Sequence, residues 1–246
     1  MKDILIRAVS ILGLAGAVCV AASSVPGQAV TVTGSVQVVH GASNAGGKLD
    51  NASAVVWLKP ASGAVSRSAD GPASRPHFKI VQHHKRFEPH VLAVPAGSVV
   101  DFPNLDPFFH NVFSMFDGKR FDLGLYESGT SHGATFDTAG VCYIFCNIHP
   151  EMSAAVVVLD TPYYAVSNAA GEFSIPNVPP GRYFLFVWHE RGKPQAAGEF
   201  PRDITIAAEN ATIRTIRLID SGQLLVPHKN KYGRDYDPPK PGPVYK

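Results

Sequence analysis

The sequence predicts an all-β protein, and three observations carry that prediction. Apolar and polar residues alternate over short runs, as in F-K-I-V-Q and F-E-P-H-V-L-A-V, which is the period of a half-buried strand. Between the runs lie turn formers, 22 Gly and 20 Pro in all, and no stretch shows helical periodicity of any length. With 246 residues, 45% of them hydrophobic and 17% charged, the chain can bury a core and make one or two domains. A net charge of +2 gives no basis for binding nucleic acid.

Lys2 and Arg7 precede an uncharged run from Ala8 to Ala22. That is the length of a signal-peptide apolar region and too short to span a bilayer comfortably. Small residues at Gly27 and Ala29 suit cleavage after Ala29, with Ala22 as the alternative, so residues 1–29 read as a secretory signal. Removing Lys2, Asp3 and Arg7 with it takes the net charge from +2 to +1. The expected location is the periplasm, with no stable membrane anchor. Val30 to Pro60 then reads as two strand-like runs around a Gly/Asn/Ala-rich loop, and Ser62 to Arg75 as a linker. His77 to Phe102 alternates, Asn104 to Pro107 is a turn, and Phe109 to Phe116 is a strand holding His110. Asp117 to His132 is Gly-rich and reads as an irregular surface excursion. Ala134–Phe136, Val141–Cys146 and Ala154–Leu159 complete the strands of this region. Residues 221–246 are dominated by proline and charge, a composition that predicts a tail without a core of its own.

Without the signal only Cys142 and Cys146 remain. Four apart on one strand, their Cα atoms stand about 13 Å apart, and a disulfide needs less than about 7 Å. An exported protein with unpaired cysteines points to a metal. The heptapeptide C-N-I-H-P-E-M spaces a thiolate, an imidazole and a thioether three residues apart, at Cys146, His149 and Met152, with Pro150 stiffening the turn. A second imidazole, His110, stands 36 residues before Cys146 in F-F-H-N-V-F-S. Two His, one Cys and one weak axial Met form the donor set of a blue-copper site. A structural zinc site would more often repeat Cys in C-x-x-C knuckles.

The order F-E-P-H-V-L-A-V-P-A-G-S-V-V-D-F, then H-N-V-F, then C-N-I-H-P-E-M resembles a cupredoxin over residues 77–159, and the short C-x-x-H-x-x-M loop is most similar to that of the amicyanins. The resemblance implies a Greek-key β-sandwich over residues 76–160 and one copper ion cycling between Cu(I) and Cu(II). His110, Cys146 and His149 would be its equatorial ligands and Met152 its axial ligand. It also implies that Asn111 ties the two ligand loops together, with a backbone amide aimed at the Cys146 sulfur. A binuclear copper site needs C-x-x-x-C-x-x-x-H-x-x-M. Cys142 and Cys146 meet the first spacing, but only Asn147 and Ile148 separate Cys146 from His149, so Cys142 reads as a small buried hydrophobe.

A second resemblance lies in the flanks. G-E-F-S-I-P-N-V-P-P-G-R-Y-F-L, from Gly171, is similar to a carboxypeptidase regulatory-like domain, a transthyretin-like β-sandwich. Gly34-Ser35-Val36 and Ala54–Leu58 fit the first half of that domain. It is therefore expected to be split, 30–64 plus 161–220, with the cupredoxin inserted where its ends lie close together. Bacterial proteins of this layout are called methylamine utilisation or plastocyanin-like proteins.

Adjacent His83 and His84 on a strand face opposite ways and do not share a site easily. His90 is a candidate for a second metal, and His132 and His189 read as solvated or hydrogen-bonded. The expected function is a periplasmic one-electron carrier working with redox partner proteins. His149 would be its electron port, within an apolar patch of Pro107, Phe108, Phe109 and Pro150. The alternative is a copper-binding module that delivers or senses the metal without turnover. No H-E-x-x-H, P-loop or H-x-H pair suggests an enzyme.

Overall fold

A computed structural model describes residues 28–41, 51–62, 75–116, 119–194, 199–209, 211–221 and 228–236. The expected signal peptide, apart from residues 28 and 29, lies outside the described residues, as do most of the expected linker and much of the expected tail. Among the described residues there are strands and no α-helix: β1 Val30–His40, β2 Val55–Pro60, β3 His77–Lys79, β4 Val81–His83, β5 Arg86–Glu88, β6 Val91–Pro95, β7 Ser98–Pro103, β8 His110–Phe116 and β9 Lys119–Tyr126. Then follow β10 Ser131–Phe136, β11 Gly140–Phe145, β12 Ser153–Leu159, β13 Tyr164–Val166, β14 Glu172–Val178, β15 Gly181–Trp188, β16 Gly192–Pro194, β17 Arg202–Ile206 and β18 Ile216–Asp220. No helix among the described residues is long and apolar enough to cross a membrane.

The middle of the chain makes one β-sandwich. Its sheets run β10-β7-β3 and β6-β12-β11-β8-β9, with β4 and β5 as a hairpin at the side. Ile80, Phe102, Val112, Phe136, Ile144 and Val156 fill the space between the sheets, together with Cys146 and Met152. The flanks make a second sandwich with sheets β14-β1-β18-β16 and β13-β2-β15-β17, around Val32, Val56, Leu58, Ile175, Leu185 and Ile216. Its two halves meet in register, Val36 beside Ile216 in parallel and Trp57 opposite Tyr164 in antiparallel.

β12 shows how the two sandwiches join. Its sequence S-A-A-V-V-V-L does not alternate, and a run that is apolar on both faces is buried on both. Ala154, Val156 and Val158 point into the first core. Ala155, Val157 and Leu159 point the other way and pack with Val91 and Ala93 of β6 and Val55 of β2, against Trp57 and Trp188. The boundary between the sandwiches is thus an apolar core in its own right. His90 bridges it as well. Its Nδ1 donates to the Ser153 carbonyl at 2.9 Å and its Nε2 meets Glu190 at 2.6 Å. Both ring nitrogens are engaged by protein groups, which accounts for His90 without a second metal.

Three sequence expectations need correction. Residues 119–126, expected as part of an irregular excursion, form β9 and pair with β8. Phe121 and Leu123 alternate inward against the core while Arg120 and Asp122 face out. His83 and His84 do not diverge on one strand. His84 and Lys85 adopt φ of 53° and 55° and form the two-residue turn of the β4–β5 hairpin, the left-handed pair that a tight hairpin needs. The turn brings the two imidazoles into a stack at 3.7 Å. Finally, residues 228–236 of the expected tail have a defined place against the first sandwich, described below. Of the other histidines, His132 stacks on Tyr126 at 4.4 Å, and His189 is buried and accepts a hydrogen bond from the Arg191 amide.

Candidate metal centre

The loop 104–109 is wound by its own side chains. Asn104 Oδ1 accepts from the Asp106 amide at 3.0 Å, and its Nδ2 donates to the Phe108 carbonyl at 2.8 Å, the local turn that Asn favours. This curl brings Asp106 back towards His110, the first residue of β8. Asp106 Oδ2 lies 2.8 Å from His110 Nε2 with both side chains buried. The same carboxylate accepts from the amides of His84 and Lys85 at 2.6 and 2.9 Å, so it also braces the β4–β5 turn. Accepting the hydrogen bond from Nε2–H fixes the His110 tautomer and leaves the Nδ1 lone pair facing the sulfur of Cys146. Asp106 was not singled out in the sequence. An Asp four residues before the His was the available signal.

Cys146 follows the end of β11. Its amide donates to the Met152 carbonyl at 3.2 Å, and the Met152 amide donates to the His149 carbonyl at 3.0 Å. These bonds close residues 146–152 into a tight loop with His149 turned inward. The three strong donors meet there. His110 Nδ1 lies 3.9 Å from Cys146 Sγ, His149 Nδ1 lies 3.7 Å from it, and the two nitrogens are 3.1 Å apart. Among the described residues this is the one such group of metal-ligating side chains, and all three are buried. A first-row metal with bonds of about 2.0–2.1 Å to N and 2.3 Å to S, at angles between about 110° and 120°, separates its donors by about 3.3–3.6 Å (N to N) and 3.5–3.8 Å (S to N). The triangle therefore fits one ion with adjustments of a few tenths of an ångström. Met152 is fully buried in the same core cluster as Cys146. A thiolate and a thioether beside two imidazoles suit copper better than a hard cation.

The electrostatics favour neutral groups before a metal enters. Burial pushes the Cys146 thiol pKa up, and the backbone amides of Asn111, Ile148 and His149 directed at its sulfur offset this only in part. Burial lowers His110, outweighing the opposing pull of Asp106, and lowers His149 with help from the neighbouring His110 charge. For Asp106, burial acts upward, but the Lys85 amide, the His110 ring and the His84 amide prevail, and its pKa is lowered.

Asn111 divides its role. Its backbone amide serves the Cys146 sulfur, as the resemblance implies. Its side chain turns away from the ligand loop and donates to Asp122 Oδ1 at 2.7 Å and to the Gly124 carbonyl at 2.8 Å, both on β9. Cys142 lies elsewhere in the core, its thiol donating to Ser114 Oγ at 3.3 Å. It is outside the donor group, and both cysteines are free. At the outer end of the site His149 is 8% exposed, Phe108 packs against both histidine rings, and Leu105, Phe109 and Ile148 present apolar surface.

No protein-family profile and no curated protein matches the sequence. Parts of solved structures do. A copper-containing nitrite reductase from Thermus scotoductus SA-01 is 25% identical over 34% of this chain and 22% of its own, with a TM-score of 0.32. The match thus spans about a fifth of that enzyme. A purple cupredoxin from Nitrosopumilus maritimus is 24% identical over 33% of this chain and 99% of its own, with a TM-score of 0.31. An amicyanin variant in the Cu(I) state is 20% identical over 42% of this chain and 98% of its own, with a TM-score of 0.33. The chain is all-β, and the solved structures that part of it is similar to include cupredoxins.

Proposed function

We propose that this chain is a mononuclear blue copper protein that carries one electron at a time between partner proteins. The observation that carries the reading is the buried triangle of His110 Nδ1, Cys146 Sγ and His149 Nδ1. Bound copper would supply the redox chemistry by passing between Cu(I) and Cu(II). The protein's part is to keep the site nearly unchanged between those states. Asp106 holds the His110 ring, the amides of Asn111, Ile148 and His149 hold the sulfur, and the Met152 amide and carbonyl close the loop. Water is kept out by burial of all four proposed ligands, and the slightly exposed His149, on whose ligand-bearing loops Leu105, Phe109 and Ile148 are also exposed, is the edge at which a partner docks. The residues that resemble a signal peptide support action in the periplasm. The strands flanking the copper sandwich pair with one another, which supports reading them as one split carboxypeptidase regulatory-like domain.

The test is the absorption and EPR spectrum of the Cu(II)-loaded protein beside Cys146→Ser. An intense thiolate-to-copper band with narrow hyperfine splitting, absent in the variant, supports the carrier. A protein that binds only Cu(I), or stays colourless with Cu(II), refutes it.

A further inference from the structure

Residues 228–236 cross the outside of the metal-binding loop. The Tyr236 hydroxyl donates to the carbonyl of Cys146 at 3.0 Å, and the Lys231 amide donates to Asn147 Oδ1 at 3.0 Å. His228 stacks on Phe145 with ring centres 3.9 Å apart and hydrogen-bonds the Pro150 carbonyl. The Lys231 ammonium reaches across to Asp122 Oδ2 at 2.7 Å. Asp122 is the residue that accepts from the Asn111 side chain. One lysine therefore joins the residue after Cys146 to the carboxylate that holds the residue after His110.

The segment is also shaped in advance. Asn230 Oδ1 accepts from the amides of Tyr232 and Arg234, the Asn230 amide donates to the Arg234 carbonyl, and Gly233 turns the chain at a φ of 73°. Such a turn presents Lys231 and Tyr236 together instead of leaving two independent side chains to be ordered, which lowers the entropy cost of each contact. The ion pair is partly shielded, with the Lys231 side chain 20% exposed and that of Asp122 32%.

We infer that residues 228–236 are a clasp, with Lys231 and Tyr236 as positioning residues that fix the two ligand-bearing segments relative to each other and so set the geometry at Cys146. The distance from the Asn111 amide to the Cys146 sulfur depends on how the β8–β9 hairpin sits against loop 146–152. The clasp bonds to both sides of that gap. Neither residue touches the metal donors; each acts through Asn147, Asp122 or the Cys146 backbone. As a determinant of the copper geometry the clasp rests on the function proposed above. As a restraint on the loop it does not need a metal.

The test compares the full chain with Tyr236→Phe, Lys231→Met, Lys231→Arg and a truncation after Pro227. Amide hydrogen exchange in residues 146–152 of the metal-free protein is read first. Losing the clasp is expected to speed exchange of the Cys146 and Met152 amides by about tenfold per lost hydrogen bond, with exchange in β12 unchanged. With copper bound, the same variants are expected to shift the reduction potential and the EPR hyperfine splitting, and Lys231→Arg to restore both. If the truncated chain, Tyr236→Phe and Lys231→Met all keep wild-type loop exchange, the clasp is refuted. If loop exchange rises while potential and spectrum stay at wild-type values, its role at the metal is refuted. A wild-type protein that forms no thiolate–copper band refutes the proposed function, and the exchange data still decide whether the clasp holds the loop.

Discussion

Asp106 accepts a hydrogen bond from His110 Nε2 at 2.8 Å and from two amides of the β4–β5 turn, with the carboxylate and the ring both buried. A single carboxylate thus couples a proposed ligand to a hairpin outside the donor set. Asp106→Asn keeps an acceptor for the ring but removes the charge. Copper affinity is expected to fall about ten- to a hundredfold, the usual effect of losing such a partner. The midpoint potential is expected to rise, because a nearby negative charge favours Cu(II) over Cu(I). Asp106→Ala also leaves buried donors without a partner and is expected to cost about 1–3 kcal/mol of metal-free stability. Competitive copper titration, voltammetry and urea unfolding check these in turn.

Metal entry should release protons. With Cys146 raised and both histidines lowered, the empty site at pH 7.5 holds a thiol and two neutral rings. A bound metal needs the thiolate. Calorimetric copper titration in buffers of different ionisation enthalpy is expected to show about one proton released per ion. A release near zero would mean that the thiolate forms before the metal arrives.

Metal-free stability should fall with acid in two stages. His110 and His149 titrate below histidine's ordinary 6.5 in the folded state, so the unfolded chain takes up protons first as pH falls through 6.5, and stability drops there. Asp106 is lowered below 3.8, so its contribution is present above that value and is lost as pH falls through its folded pKa. His90 works the other way. Bonded to Glu190, it is raised, and its contribution is lost as pH rises through its folded pKa; its side chain is 45% exposed and solvent screening keeps the effect small. Urea midpoints of the metal-free protein between pH 3 and 8 read the profile, and saturating copper should steepen the upper stage, because the copper-bound site excludes the protons that Cys146 and both histidines take up in the unfolded chain.

Cys142→Ala is expected to leave the copper spectrum intact and to cost about 1 kcal/mol, since the thiol is a buried group bonded to Ser114 and not a ligand. Loss of the blue band in this variant would contradict the mononuclear site.

Gly171 sits at a φ of 84°, and a Cβ there would lie 2.1 Å from the Val36 carbonyl oxygen. Its own carbonyl accepts from the Val36 amide at 2.7 Å. Gly171→Ala is expected to destabilise by at least about 2–3 kcal/mol, through the left-handed backbone and the clash together. Thermal unfolding measures it, and the copper spectrum of whatever protein folds should be unchanged because the site lies in the other sandwich.

How legible each feature was follows from what holds it. Cys146, His149 and Met152 stand out because one tight loop delivers them at fixed spacing, and His110 because H-N-V-F opens a clear strand. Asp106 does not, because it reaches His110 only through a turn that Asn104 winds, and no local periodicity marks such a curl. β9 was obscured by Gly124 and by the charges of Lys119, Arg120 and Asp122, which dilute the alternation of Phe121 and Leu123. Residues 228–236 look like a tail because they contribute little apolar surface. They are held by hydrogen bonds to another element's backbone and side chains, which composition does not register.

The bond between Ser35 and Thr215 joins residues 180 apart. At ordinary rates of synthesis, β1 and β2 wait roughly 10–35 s for the strands that complete their sheets. During that wait Val56 and Leu58 lack the partners of their own core, and closing so long a loop unaided is entropically costly. The intervening sandwich relies on nearer pairings, such as those of β8 with β9 and β11 with β12. Once it has folded, Val55 of β2 can pack on its Val91, Ala93 and Val157, and the long closure becomes a shorter one. The sandwich that holds the proposed metal site is then a template on which its host is assembled, and nascent chains cut short before β18 should be chaperone clients with that sandwich folded but its ligand loop unclasped.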